Sequence, residues 1–174
     1  MKKEADLSKP TLYIFSGFPA SGKTTLAKLL AHSIGAMFLR IDTVENGLKE
    51  ICSLQVESEG YRLSYRIIRD NLDLGLSAIA DSCNTIEITR REWENIATES
   101  GATFQNIEIS CSDNAEHESR VISRNNKSRK LNDLTWEQVK GRIYEQWDSE
   151  IIKIDTAGKS VEQSFGELSV KLGL

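Results

Sequence analysis

Short apolar runs alternate with amphipathic stretches along the chain. The apolar runs are rich in β-branched and aromatic residues, which predicts strands at residues 11–15, 36–41, 76–80, 104–109 and 151–154. Apolar residues three and four apart between these runs predict helices, as in the face shared by Leu26, Leu29 and Leu30. This alternation implies an α/β fold in which helices cover both faces of a parallel sheet, and ligands bind at the carboxyl ends of its strands.

Cap and stop residues set the expected helix limits. Three helix starts carry the Ser/Thr-x-x-Glu/Gln capping box, in the pairs Thr89 with Glu92, Thr135 with Gln138, and Ser160 with Gln163. Gly75 and Gly101 stand where two helices should end. A helix before Gly75 is predicted to carry an apolar face at residues 63, 67 and 68. Because no repeat, linker or proline cluster divides the chain, we expect one domain over residues 1–174.

A complete Gly-x-x-x-x-Gly-Lys-Ser/Thr motif follows the first predicted strand and opens a helix. Its residues, with the one that follows, are Gly17, Phe18, Pro19, Ala20, Ser21, Gly22, Lys23, Thr24 and Thr25. Such a P-loop surrounds phosphates with backbone N–H groups at a helix N-terminus. We expect Lys23 to reach the β and γ phosphates and Thr24 to join a Mg²⁺ shell. A ligand-free glycine turn is the alternative, but the strand and helix around the motif favour ATP binding.

Two aspartates follow the second and third predicted strands. Asp42 comes after residues 37–41 and Asp81 after residues 76–80, so both should lie beside the P-loop. Near a metal–phosphate centre, one carboxylate can orient Mg²⁺-bound water while the other accepts a proton from a substrate hydroxyl. Each aspartate could instead be a helix cap or a turn residue. The residues alone leave the two roles exchangeable.

Arg120 and Arg124 lie four residues apart and should share one helical face. Paired guanidinium groups suit the negative charge of a transferring phosphoryl group. The polar run that follows, at residues 125–130, suits a lid over the nucleotide, which we place at about residues 120–135. A solvated basic helix face is the alternative, and the P-loop favours the lid.

Several other polar and aromatic residues are weaker candidates. Arg90 and Arg91 could contact an anionic substrate, but they also fall in the first turn of a predicted helix. His117 is predicted to be structural, and the tryptophans, which lie far apart in sequence, are predicted to pack in the interior. No signal for the acceptor is recognisable, although residues 43–76 are expected to form much of its pocket.

Net charge, apolar runs and cysteine content limit the class of protein and its expected location in the cell. The chain has a formal net charge of −4, which argues against a dedicated nucleic-acid binder. No apolar run approaches the roughly 20 residues needed to cross a bilayer, and the N-terminal residues lack the apolar core of a signal peptide. Cys52, Cys83 and Cys111 are an odd number without Cys-x-x-Cys spacing, so a disulfide framework or zinc site is not expected. The expected location is the cytoplasm, and the oligomeric state is unreadable.

Five segments together resemble the P-loop kinase-like ATPases of the zeta-toxin and chloramphenicol-phosphotransferase type. The chain looks closest to small bacterial proteins known only as AAA-family ATPases or predicted kinases. The matching segments cover nearly the whole chain, at residues 16–25, 39–45, 80–84, 117–124 and 155–158. The resemblance implies a three-layer fold with sheet order 2-3-1-4-5 and a small lid that contains Arg120 and Arg124. It also implies that the loop from Thr156 to Gly158 lies near the adenine.

The resemblance also separates the two aspartates. In related kinases, an aspartate in the place of Asp42 is the base toward a hydroxyl substrate. Asp81, which would end a more central strand and precedes Ser82, then takes the metal side with Thr24. The resulting prediction is catalysis by Lys23, Asp42, Arg120 and Arg124, with the two arginines acting on the transferring phosphoryl group.

A small-molecule kinase that phosphorylates an alcohol-type acceptor is the leading functional hypothesis. A zeta-type nucleotide-sugar kinase and a regulatory ATPase module remain alternatives. A GTPase is disfavoured because residues 126–129 lack the guanine-reading carboxylate of Asn-Lys-x-Asp. An AAA+ motor would need a second helical domain, for which 174 residues leave no room. The acidic balance gives no support to a polynucleotide kinase.

Overall fold

The structure, a computed structural model, describes residues 9–128 and 134–174. The strands are β1 (Thr11–Ser16), β2 (Met37–Arg40), β3 (Ala78–Asp81), β4 (Thr103–Ser110) and β5 (Ile152–Asp155). The helices of the described residues are α1 (Lys23–Ile34), α2 (Ile41–Cys52), α3 (Glu59–Asp73), α4 (Glu87–Glu99), α5 (Asn114–Ser128), α6 (Trp136–Lys140) and α7 (Val161–Leu172). The strands form one parallel sheet in the order β2-β3-β1-β4-β5, which confirms the predicted fold class and strand order.

Two apolar cores lie on opposite faces of this sheet. Side chains of β1 alternate between them, with Leu12 and Ile14 in one core and Phe15 in the other. Helices α3 and α4 contribute to the first core, in which Trp93 is fully buried, and α1 and α7 contribute to the second. The protein is therefore a three-layer structure, as predicted.

The register of the sheet brings the strand ends together at one edge. Phe15 of β1 pairs with Asp81 of β3, and Asp81 in turn pairs with Arg40 of β2. At the other side of β1, Ser110 pairs with Asp155. The loops that follow β1, β2, β3 and β5 therefore open onto the same edge, as expected for a ligand site in a parallel sheet.

Helix limits confirm most of the predicted caps and correct one of them. Thr135 and Ser160 form complete capping boxes, and Gly75 and Gly101 have positive φ just beyond α3 and α4. Thr89 is not a cap, because α4 begins at Glu87 and the Thr89 hydroxyl donates to the carbonyl of Ile86. The N–H of Glu87 instead donates to the carboxylate of Glu145, a distant residue that the local pattern could not reveal.

Two further expectations need adjustment. Leu63 is exposed, so the buried face of α3 runs instead through Gly60, Ser64, Ile68 and Leu72. The predicted lid begins within α5, but its residues 129–133 lie outside the described part of the chain. Among the described residues, no helix is long and apolar enough to span a membrane. All three cysteines are free thiols.

Candidate active site

The turn between β1 and α1 is compatible only with glycine at its first position. Gly17 has φ +130°, and a Cβ at this position would lie 2.1 Å from the carbonyl oxygen of Ile109. Its N–H donates to the carbonyl of Cys83 at 3.0 Å, which fastens the turn to the segment after β3. Gly22 has a left-handed conformation and caps α1. Residues 22–25, at the N-terminus of α1, line the cleft, and a helix N-terminus is a favourable place for an anion.

Lys23 is 7% exposed and lines the cleft beside Thr24. Its ammonium donates to the carbonyl of Phe18 at 2.9 Å, so it is folded back across the turn that it would share with phosphates. Phe18 itself packs edge-on against Tyr144, with ring centroids 5.3 Å apart. The turn is therefore held by the bond between Lys23 and Phe18 within it and by the contact with Tyr144, which is distant in sequence.

Asp81 ends β3 and is 2% exposed. Burial raises the pKa of its carboxyl, and this outweighs the lowering by the Thr24 hydroxyl and by the charges of Lys23 and Arg40. Its Oδ2 atom has no hydrogen-bond partner within the described residues. A buried carboxylate oxygen without a hydrogen-bond partner, beside a hydroxyl and the P-loop turn, is a site where a divalent cation fits.

The rest of the cation shell would have to come from the nucleotide and water. Within residues 9–128 and 134–174, no group of three or more His, Cys, Asp or Glu side chains could hold a metal by itself. Mg²⁺ suits such a site, because it usually keeps several waters and binds one or two carboxylates together with phosphates. Asp81 and Thr24 therefore fit the Mg²⁺ that the motif predicts.

Asp42 lies in the first turn of α2 and not at the strand end, because β2 stops at Arg40. Its carboxylate is 50% exposed and accepts a hydrogen bond of 2.6 Å from the Arg40 guanidinium. Arg40 also lies 3.9 Å from the Oδ2 atom of Asp81, so one arginine bridges the two aspartates. Arg40 rather than Asp42 occupies the cap position of α2, which removes the helix-cap alternative for Asp42.

Arg120 and Arg124 share a helical face but engage different parts of the cleft. The Arg120 guanidinium donates to the hydroxyl of Thr156 at 2.7 Å and to its carbonyl at 3.0 Å, and it also pairs with Glu116 at 2.6 Å. Arg124 lies 4.0 Å from Asp42 and is 47% exposed. Arg120 is thus tied to the loop after β5, whereas Arg124 reaches toward the loop after β2.

The loop after β5 is linked to the P-loop through Thr156. The Thr156 hydroxyl contacts the carbonyls of Ser21 and Ser110, each at 2.9 Å, in addition to Arg120. The N–H of Gly158 donates to Glu116 at 2.8 Å, and this bond is the main reason that the pKa of Glu116 is lowered. The predicted adenine loop is therefore fixed in place from both α5 and the P-loop.

These elements enclose a cleft of about 520 Å³. The predicted site residues that line it are Pro19, Ala20, Gly22, Lys23, Thr24, Thr25, Asp42, Asp81, Arg120, Arg124 and Thr156. Four others support its walls without lining it, namely Gly17, Phe18, Ser21 and Gly158. No residue of the segment 43–76 lines this cleft, and that the segment forms much of the acceptor pocket stays a prediction.

A family model described as an AAA domain, AAA_33, matches residues 12–145, which include the P-loop, both aspartates and both arginines. The chain belongs to this AAA domain family. A search of curated proteins finds no match. The narrower resemblance to zeta toxins and chloramphenicol phosphotransferases stays a prediction, because the family model does not distinguish it.

Solved structures share the fold of this family member at low sequence identity. The APS kinase of Mycobacterium tuberculosis is 15% identical, with a TM-score of 0.72 over 95% of this chain and 99% of that chain. A gluconokinase of Sinorhizobium meliloti 1021 is 12% identical, with a TM-score of 0.67 over 94% and 92%. A sugar kinase of Janibacter sp. HTCC2649 is 15% identical, with a TM-score of 0.66 over 95% and 95%.

Sequence reasoning missed several residues of this AAA domain's cleft. The missed charged residues are Arg40, Arg142 and Lys159, of which Lys159 pairs with Glu167 at 2.6 Å. Arg40 carried a usable signal, since it ends a strand just before Asp42. Arg142 carried none, because it follows a five-residue helix far from every motif.

Two residues considered as weak candidates have structural roles in the described chain. Arg90 is 2% exposed and donates to the carbonyls of Asn84, Thr85 and Glu145, so it is not available to an anionic substrate. His117 is buried and donates from Nε2 to the carbonyl of Pro19 at 2.8 Å, which supports the P-loop from behind.

Proposed function

We propose that the protein is an ATP-dependent phosphotransferase, which moves the γ-phosphoryl group of ATP to a hydroxyl group of a small molecule. The observation that carries this proposal is the buried Asp81 oxygen without a hydrogen-bond partner, beside Thr24 and Lys23 and across Arg40 from the half-exposed Asp42. The cleft thus offers one carboxylate suited to a cation and another suited to a proton.

On the nucleotide side, the P-loop amides and Lys23 would bind the phosphates. Lys23 would exchange its bond to the Phe18 carbonyl for the β and γ phosphates. Asp81 and Thr24 would hold Mg²⁺, which when bound neutralises charge on the β and γ phosphates. The Thr156 to Gly158 loop, held by Arg120 and Glu116, would border the adenine.

On the acceptor side, Asp42 would take the hydroxyl proton as the acceptor oxygen forms its bond to the γ phosphorus. The bond from that phosphorus to the β–γ bridging oxygen breaks, and ADP leaves with the bonding electrons. Arg40 orients the Asp42 carboxylate through their 2.6 Å contact. Arg124, whose guanidinium lies 4.0 Å from Asp42, would meet the charge on the transferring group.

The likeness to an APS kinase, a gluconokinase and a sugar kinase supports a small-molecule acceptor. The decisive experiment measures ADP release and product mass for the protein with Mg·ATP and a panel of metabolites that carry hydroxyl groups. We expect at least one metabolite to raise ADP release above the water-only rate and to yield a phosphorylated product in equal amount.

A matched Asp42→Asn protein should bind ATP and lose this stimulation. If no acceptor exceeds water and the water rate is itself substantial, the protein is a regulatory ATPase module instead. Competition binding should also show tighter ATP than GTP, since residues 126–129 lack the carboxylate that reads guanine.

A further inference from the structure

The cleft carries far more positive charge than the chain as a whole. Six lysine and arginine side chains line it against two aspartates, a formal excess of four positive charges in a protein whose net charge is −4. Mg·ATP brings only about two net negative charges, because the cation offsets part of the phosphate charge. Arg120 and Lys159 pair with Glu116 and Glu167 behind the lining, so a site for a second anionic group depends on a lining cation that no carboxylate already holds.

Arg142 is the lining arginine that lacks an acidic partner. The other three pair with carboxylates, since Arg40 and Arg124 face Asp42 and Arg120 holds Glu116. Among the described residues, no carboxylate lies within 4.0 Å of the Arg142 guanidinium. An unpaired guanidinium at the rim of a cleft is well suited to a bidentate contact with an incoming phosphate, sulfate or carboxylate.

The backbone on both sides of Arg142 is fixed. Its N–H donates to the carbonyl of Val139, a fully buried residue of α6. Arg142 is the first residue of a segment, residues 142–148, that is here called the strap and that crosses to the P-loop. Tyr144 of the strap packs on Phe18 and approaches Ser16, with 3.4 Å between their hydroxyl oxygens.

Arg90 clamps the strap to the loop after β3. Its guanidinium donates to the carbonyl of Glu145 at 2.8 Å and lies 4.0 Å from the ring centre of Trp147, an arrangement that favours a cation–π contact. The N–H of Glu145 donates to the carbonyl of Thr85 at 2.8 Å. The strap that begins at Arg142 is therefore fastened to the loop after β3, and Arg142 lines the same cleft as Asp81.

We propose that Arg142, held in place by the strap, binds an anionic group of the acceptor, so that the substrate is a hydroxyl compound that carries its own phosphate, sulfate or carboxylate. This inference rests on the proposed phosphotransferase function and narrows its substrate class. The anion would hold one end of the acceptor at Arg142 while its hydroxyl faces Asp42.

The first experiment measures anion binding to protein saturated with Mg²⁺ and the non-hydrolysable analogue AMPPNP. The probes are inorganic phosphate, sulfate and acetate, and their binding is measured by calorimetry. Arg142→Gln should weaken the best anion about tenfold or more and change Mg·AMPPNP affinity by less than about twofold. Arg142→Lys should recover part of the loss. Arg69→Gln, which alters an exposed arginine paired with Glu99 outside the cleft, should behave as wild type.

Equal anion affinity in wild type and Arg142→Gln overturns the inference, as does a loaded wild type that binds none of the three anions. A loss confined to Mg·AMPPNP also overturns it, because Arg142 then contacts the nucleotide. A wild type that fails to bind Mg·AMPPNP defeats the proposed function, and this inference with it. Nucleotide binding without anion binding leaves the proposed function standing and removes only the inference.

Paired acceptors and a double mutant complete the test. Two pairs of acceptors are compared, glycerol 3-phosphate with glycerol and gluconate with glucose. The anionic member of each pair should bind the loaded protein more tightly. Equal binding within both pairs overturns the inference. Trp147→Ala should weaken anion binding by loosening the strap, but only while Arg142 is present. An equal effect of Trp147→Ala in the Arg142→Gln protein would show that the strap does not act through Arg142.

Discussion

The proposed phosphate side and the proposed acceptor side of the cleft are built in different ways. On the phosphate side, Ser21, Lys23 and Asp81 are buried, and the turn comes from consecutive residues. On the acceptor side, Asp42 and Arg124 are about half-exposed and come from different helices. Arg142 comes from a third element, the exposed start of the strap.

The difference follows from what each side has to recognise. A triphosphate is the same in every reaction, so one local turn with fixed φ angles can bind it, as the close approach of Gly17 to Ile109 illustrates. An acceptor differs between enzymes, and exposed side chains on separate loops can change without disturbing the core. We therefore expect substitutions on the phosphate side to remove all activity, and those on the acceptor side to act on the transfer step alone.

Lys23→Ala should have the largest effect, because it removes the cation that the motif directs at the β and γ phosphates. We expect turnover to fall by about 10³-fold or ATP binding to be lost, with an unchanged circular dichroism spectrum. Lys28→Ala, an exposed lysine on the same helix, is the matched control. A folded Lys23→Ala protein with wild-type affinity and turnover would show that the turn does not bind phosphates.

Asp42→Asn should come next and should spare ATP binding. The amide keeps the shape of the side chain and its contact with Arg40 but cannot accept a proton, so transfer to the acceptor should fall by about 10²-fold. Transfer rate and ATP affinity are measured in parallel, with Asp70→Asn on the exposed face of α3 as the control. If Asp42→Asn transfers phosphate normally while Asp81→Asn does not, the two roles must be exchanged.

The sequence predicted those features of the fold and the site that depend on residues within one continuous segment. The P-loop, the sheet order and the position of Asp81 beside the P-loop follow from spacing or from the family resemblance, and the sheet order is confirmed, whereas Asp42 lies in the first turn of α2 rather than at the expected strand end. Side chains brought together from distant segments could not be predicted. Arg142 lines the cleft from a strap that Arg90 and Tyr144 join to distant segments, and Glu145 meets the N-terminus of α4 across 58 residues.

Arg120 and Arg124 share one face of α5 but contact different sides of the cleft. Their spacing predicted one shared role, but Arg120 bonds to Thr156 while Arg124 approaches Asp42. Arg124→Ala should lower kcat about tenfold with little change in ATP affinity, and Arg120→Ala should weaken ATP binding about tenfold by freeing the loop after β5. Steady-state kinetics and ATP titrations distinguish them. If the two variants change kcat and ATP affinity in the same way, the two arginines share one role, as their spacing predicted.

The smallest predicted effect is one on stability: Asp81→Asn should remove activity, like other substitutions on the phosphate side, and should also stabilise the nucleotide-free protein. Burial raises the pKa of Asp81 in the folded state, so the folded protein holds this proton more tightly than the unfolded chain. The stability that the proton supplies is complete below the unfolded pKa of about 3.9 and is lost as pH rises through the higher folded pKa. At pH 7 the wild type therefore contains a buried carboxylate that the asparagine variant lacks.

Thermal unfolding from pH 3.5 to pH 8 tests this, with Mg·ATP present in a second series. Without ligand, Asp81→Asn should unfold at a higher temperature than wild type at pH 7, and the difference should shrink toward pH 3.5. With Mg·ATP the order should reverse, because the Oδ2 atom of the wild-type carboxylate, which has no hydrogen-bond partner, would gain a cation, and because the ligand stabilises the protein that binds it more tightly. A variant that is less stable than wild type at pH 7 without ligand would mean that Lys23, Arg40 and Thr24 already satisfy Asp81, and that the phosphate side is complete without a cation.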